Sequence, residues 1–237
     1  MKLLVGVTSL IAVLLVALAA PLYRFGLIDL STAFAGFKFG IFAGIAALIL
    51  LIIQLLFKRQ TASLASALIA ATFAIIAIAI PLSMMQTAKS VPPIHDISTD
   101  LNNPPEFVAI APLRADAPNP VAYAGIESAQ QQRQAYPALQ TRSYPQSKLE
   151  LIQTTKQVIE DLGWELVNID ADKGIIEATE TTAWFGFKDD VVIRITDNGN
   201  ERLLDVRSKS RVGQSDLGKN AARIDEFIQK LDEIVAR

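Results

Sequence analysis

Three long apolar runs, at about 3–22, 34–57 and 62–85, fill the first third of the chain between short polar breaks. Each has ~20 residues or more, enough to cross a ~30 Å hydrocarbon core at ~1.5 Å per residue. Lys38 is the one charge inside them, and it lies near an end, from which it can snorkel. The pattern predicts three transmembrane helices in a region 1–86. The first run has a second reading. Lys2, an apolar stretch and then Ala17-Leu18-Ala19 before Ala20-Pro21 also resemble a secretory signal with its small-residue cleavage site. Two further spans follow, so an uncleaved anchor is the reading adopted. Gly40-x-x-x-Gly44 has the spacing of a close helix–helix contact, as in membrane dimer motifs. The plainer reading is that Gly and Ala are common in membrane helices. Without an ionisable residue mid-span, a proton or ion path is not expected.

The pattern changes beyond the third run. Residues 87–146 hold nine prolines and read as an extended arm or linker, because proline excludes long helices and central strands. Regular structure resumes at Ser147. Residues 147–162 suit a helix, with Ser147 and Glu150 spaced as a capping box and Leu151, Thr155, Val158 and Leu162 on one stripe. Four strand-like runs follow, at about 164–171, 174–184, 190–197 and 201–208, with hairpin turns at Asp172-Lys173-Gly174 and Asp197-Asn198-Gly199-Asn200. Val191, Ile193 and Ile195 alternate with Val192, Arg194 and Thr196. A last helix, about 217–236, carries its own apolar stripe and can be capped by Ser215 or Asp216. The fold class expected for 147–237 is α+β: an α-β-β-β-β-α unit whose antiparallel sheet is covered by helices on one face.

Composition sharpens this division. Residues 1–90 hold six basic residues and one acid, while the remainder holds 16 basic and 23 acidic residues. The whole carries a formal charge of −2, which argues against an electrostatic nucleic-acid binder. Lacking cysteine and having a single histidine, the chain has neither a disulfide framework, nor a thiol nucleophile, nor the usual zinc sets. Lys2 before the first span and Lys58-Arg59 between the second and third place those ends in the cytoplasm. Everything beyond residue 86 is then extracytoplasmic, as in a bacterial inner-membrane protein with a periplasmic domain.

Two long stretches carry a family resemblance: GIIEATETTAWFGFKDDVVIRI (174–195) and DVRSKSRVGQSDLGKNAARI (205–224). The arm adds PPIHDISTD (92–100), NPPEF (103–107), NPVAY (119–123) and QAYP (134–137). Together they resemble the family catalogued as domain of unknown function DUF1499, over roughly 90–235. The resemblance implies membrane attachment or export. It implies no activity and no catalytic residues.

Several groups invite chemistry. Glu177, Thr179, Arg194, Asp205 and Arg207 project from one side of the expected sheet, with Lys209 and Arg211 continuing beyond it and Asp189-Asp190 opening the third strand. Either these are cross-strand ion pairs, or they line a polar pocket. In the pocket Arg194, Arg207 and Arg211 bind a carboxylate or phosphate, because guanidinium forks match those groups. Ser208, Ser210 and Ser215 would add hydroxyls. The candidate ligand residues are Glu177, Asp190, Arg194, Asp205, Arg207, Ser208, Ser210, Arg211 and Asp216. Asp189 and Asp190 with Glu177 or Asp205 are a lesser candidate for a hard cation. Gly213 to Lys219 has P-loop spacing, but Asn220 replaces the magnesium-binding hydroxyl, leaving only free helix-start amides as an anion cradle. Trp184, Phe185 and Phe187 are either core or a membrane-surface anchor. His95-Asp96 is not a triad by spacing.

The function expected is a membrane-anchored binding domain, without cofactor or metal, that takes an anionic small molecule, a lipid headgroup or an envelope protein through the Arg/Asp face. A hydrolase using carboxylates of that face and a structural assembly factor are the alternatives. Catalysis is the less favoured of these classes.

Overall fold

The structure is a computed structural model and describes residues 1–57 and 63–236. Lys58-Arg59, on which the orientation reading leans, and Ala62 lie outside the described residues. The chain divides into two compact units, Met1–Lys89 with Ala183–Gly186, and Ser90–Thr182 with Phe187–Arg237.

The first unit is a helical bundle. Helices α1 (Lys2–Ala17) and α2 (Ala19–Arg24) run on as one apolar stretch of 23 residues, followed by α3 (Leu30–Phe57) and α4 (Leu64–Ser90). All three stretches are long and apolar enough to cross a membrane. Gly40 and Gly44 are buried, and they serve packing inside the chain. A Cβ on Gly40 would lie 2.6 Å from Val16 Cγ2 of α1, and one on Gly44 would lie 3.0 Å from the Ala74 carbonyl of α4. One glycine therefore seats α1 on α3 and the other seats α4, as close-packed membrane helices require in the absence of a hydrophobic driving force. Trp184 and Phe185 also belong to this unit. Trp184 stacks on Phe37 with ring centres 5.6 Å apart, and Phe185 meets Phe37 edge-on at 5.8 Å.

The second unit is built on one open antiparallel sheet. Its strands are β1 (Asp96–Ser98), β2 (Arg142–Tyr144), β3 (Glu165–Asp170), β4 (Ile175–Thr181), β5 (Lys188–Asn198) and β6 (Glu201–Ser210). The order is β1-β6-β5-β4-β3, with β2 also on β6. The expected four-strand meander is present, but the sheet has six strands. The two extra strands come from the proline-rich stretch, which also supplies a 3-10 turn at Ala111–Arg114 and helix α5 (Ile126–Ala135). They are three residues each, as short as the surrounding prolines allow. Gln132 of α5 closes the free edge of β1: its side-chain oxygen accepts from the Ser98 amide at 3.0 Å and its NH2 donates to the Ser98 carbonyl at 2.6 Å.

Helices α6 (Lys148–Asp161) and α7 (Lys219–Val235) cover one face. The capping box of Ser147 and Glu150 forms as expected. Ile176, Ala178, Val191, Ile193, Leu204 and Val206 meet Leu151, Val158, Ile224 and Phe227 in the main core. The second face is covered by residues 99–125, an irregular strap with a small apolar centre of Phe107, Ile110 and Val192.

Candidate functional site

Strand register decides which charges share a face. Glu177 lies opposite Val192, and Val192 opposite Arg207. Thr179 lies opposite Asp190, Asp190 opposite Lys209, and Lys209 opposite Asp96. Arg194 lies opposite Asp205. Facing residues of an antiparallel pair project to the same side. Glu177, Asp190, Arg194, Asp205 and Arg207 are thus on the face away from α6 and α7, where Arg211 joins them through Asp190.

That face is a charged layer lying under the strap. Asp96 is its first hub. Its two oxygens accept from Arg207 Nε at 2.9 Å and Nη2 at 3.0 Å, from Lys209 Nζ at 2.9 Å and from the Ala124 amide at 3.0 Å. Asp190 is the second hub. It takes a two-pronged contact from Arg211 at 2.8 Å each, Arg114 at 3.1 Å and the Thr179 hydroxyl at 2.8 Å. Arg194 bridges Asp205 at 2.8 Å and Asp100 at 3.0 Å, and Asp205 also accepts from Thr99 and Thr141. Glu177 is fully buried and accepts three amides of the strap: Val108 at 2.8 Å, Ala109 at 2.7 Å and Ile110 at 3.2 Å.

The cations spend their remaining donors on strap carbonyls. Arg207 reaches Pro105 and Val121, Lys209 reaches Ala122, Arg211 reaches Leu113, and Arg114 reaches Asn119. Arg207 also lies over the rings of Phe107 and Tyr123, at 5.0 and 5.3 Å. The layer balances: Arg114, Arg194, Arg207, Lys209 and Arg211 stand against Asp96, Asp100, Glu177, Asp190 and Asp205. Arg114, Asp96 and Asp100 were not among the candidates. Arg114 is the sole Lys or Arg between 90 and 132, a signal that could have marked it.

The other candidates lie elsewhere. Ser208 and Ser210 project to the helix face. There the Ser208 hydroxyl donates to Asn220 at 2.6 Å, and Arg223 holds Asp189 at 2.7 Å. Glu180 also accepts from Arg223. Asp189 and Asp190 therefore point to opposite sides of the sheet and do not converge on a cation. No group of three metal-ligating residues occurs among the described residues. Asp216 lies in the loop before α7. The N-cap of α7 is Gly218, and Asp216 accepts from the Gly218 and Asn220 amides at 2.8 Å each. The Lys219 amide goes to the Asp216 carbonyl. The helix start expected to cradle an anion thus spends these amides on Asp216. Leu217, at φ 57°, takes a left-handed conformation rare for a bulky side chain.

Burial shapes the titration of this region. It lowers the affinity of Lys209 for its proton, against the pull of Asp96. It raises the Asp216 carboxyl above the usual range, opposed by the two amides it accepts. It pushes the Tyr123 phenol up to about 12, with the Asp96 charge adding to the shift. The Tyr123 hydroxyl is buried without a hydrogen-bond partner among the described residues.

Comparison with protein families matches residues 96–231 to the family described as "Protein of unknown function (DUF1499)". The match spans more than half of the chain, and the chain belongs to this family. Comparison with curated proteins gives no match.

Proposed function

We propose that this protein is a membrane-anchored, non-enzymatic interaction or assembly module, in which the Arg/Asp face is the internal scaffold of the domain. One observation carries this reading: the five cations and five carboxylates of the layer are engaged within the domain, largely by one another and by the strap. Buried groups paired in this way hold a surface rigid, and truncating one partner is costly. The partner is then met by the outer side of the domain, where Val108 and Leu113 of the strap are exposed.

A second reading keeps the anion site on the same face. In its favour, Arg194 and Arg211 lie at the rim of the layer with 17% and 15% of their side chains exposed. A carboxylate, phosphate or lipid headgroup at the rim would meet these two guanidinium groups.

Melting of the full chain in detergent separates the two. On the scaffold reading, Arg207→Ala and Asp190→Ala lower the melting temperature, and neither inorganic phosphate nor glycerol 3-phosphate, a headgroup without acyl chains, raises that of the parent. A ligand-induced rise that Arg194→Ala and Arg211→Ala abolish sinks the scaffold reading in favour of the anion site.

We also place the domain on the extracytoplasmic side of a bacterial inner membrane, with the first span retained as an anchor. Lys2 and Lys58-Arg59 support this under the positive-inside rule. The chain has no cysteine, so single cysteines introduced at exposed Glu106 and Glu226 can be labelled in intact cells. Protection of both from an impermeant maleimide would reverse the orientation.

A further inference from the structure

The helical unit contains a groove of about 590 Å³ between α1 and α4, floored by α3 and lined by residues that include Lys2, Gly6, Leu51, Gln54, Ser66 and Phe73. Its volume falls within the ~300–1,000 Å³ of ligand sites. Two features define what fits it. The first is depth. On α1 the lining runs from Lys2 to Leu10 and on α4 from Ser66 to Phe73, about 10–12 Å at ~1.5 Å per residue. That is close to one leaflet of a ~30 Å core and too short for a partner's spanning helix. The second is polarity. Lys2, Gln54 and Ser66 stand at the start of α1, near the end of α3 and near the start of α4, which is one side of an alternating bundle. Leu51 and Phe73 lie deeper. The groove is therefore cationic and polar at the membrane surface and apolar toward the bilayer centre.

We propose that this groove binds one acyl chain of an anionic phospholipid from the leaflet nearest Lys2, with the headgroup at the Lys2 ammonium. The chain lies along the apolar lining to which the packed cluster of Val5, Leu51 and Ala70 contributes, and the Lys2 charge selects the headgroup.

Gly6 supplies a clean test. It lines the groove, and a Cβ there would meet nothing within 4 Å, so a side chain at this position grows into the open space. The full chain in mild detergent is titrated with phosphatidylglycerol and with phosphatidylcholine of the same acyl chains, and bound lipid is counted by native mass spectrometry. The parent is expected to take one phosphatidylglycerol in preference to phosphatidylcholine. Lys2→Gln is expected to weaken phosphatidylglycerol about fivefold, the loss of one Lys at an anionic surface. Gly6→Phe is expected to lose the first bound lipid of either kind, while Ile49→Phe, exposed and outside the groove, keeps it. If Gly6→Phe lowers the melting temperature, Gly6→Leu repeats the test with a smaller side chain. Unchanged lipid binding in the Gly6 variants overturns the proposal. Equal binding of the two lipids by the parent overturns it too, and so does a Gly6-dependent dimer mass without bound lipid, which would assign the groove to a second copy.

Discussion

Arg207 and Asp96 are 111 residues apart in the chain and meet fork to fork, Nε on Oδ1 at 2.9 Å and Nη2 on Oδ2 at 3.0 Å, with both side chains almost fully buried. The contact ties the interior strand β6 to an edge strand drawn from the proline-rich stretch. A buried pair of this kind need not exceed an apolar substitute in stability, but breaking it leaves one charge stranded at a cost of about 3–5 kcal/mol. Arg207→Ala and Asp96→Ala are each expected to fall in that range by denaturant unfolding. The double variant should cost less than the sum of the two. Arg207→Lys should not rescue, because an ammonium cannot serve two carboxylate oxygens and two carbonyls in one plane. Strictly additive losses would show that the pair is not coupled.

The strap lends itself to a truncation experiment. A chain starting at residue 90 keeps β1, the strap and all five carboxylates of the layer. One starting at residue 119 loses Asp96, Asp100 and Arg114, and strands Arg207 and Lys209 against no acid. The first is expected to give a cooperative melt and dispersed amide resonances, the second to be insoluble or molten. A folded 119–237 fragment would show that the charged layer does not need the strap.

Glu177 holds three amides with two oxygens, and replacing it by Gln turns one acceptor into a donor facing a donor. A lost charge-assisted bond plus an unsatisfied buried amide amounts to about 2–4 kcal/mol. Glu177→Gln should therefore destabilise nearly as much as Glu177→Ala, and hydrogen exchange at Val108, Ala109 and Ile110 should speed up first. Protection unchanged at these three amides would count against the pinning role.

Tyr123 contributes to an alkaline limit. Its phenol titrates near 10 in the unfolded chain and is pushed up to about 12 in the folded one, so between those values the folded state holds a proton that the unfolded state has released. Stability is accordingly expected to fall as pH rises from 10 toward 12. Burial raises Tyr144 and Tyr136 too, so Tyr123→Phe should lessen that slope without abolishing it and, by removing a buried hydroxyl that has no partner among the described residues, leave neutral-pH stability equal or higher by about 1 kcal/mol. A clear loss at pH 7 would mean that the hydroxyl has a structural role.

In the membrane unit, Gly40→Leu is expected to part α1 from α3, because even a Cβ at that position lies 2.6 Å from Val16. The melting temperature in detergent should drop, whereas Gly6→Ala, in open space, should leave it unchanged or raise it through helix propensity.

The apolar runs, the four-strand meander and the capped helix before it were determined by the sequence alone. Each depends on a local periodicity: 20 apolar residues in a row, alternation along Val191 to Ile195, Ser147 three residues before Glu150. The shared face of Glu177, Thr179, Arg194, Asp205 and Arg207 was legible for the same reason, since hairpin turns set the register. What only the tertiary structure decided was what those charges are for. Asp96, Asp100 and Arg114 sit among prolines with no periodic pattern to announce a strand or a partner. Their ion pairs span from 76 to 113 residues, and such pairings are settled by chain reversal and burial rather than by neighbours in sequence. An exposed Arg/Asp face and a closed ionic layer have the same alternation along each strand. The fold of the strap over them separates the two.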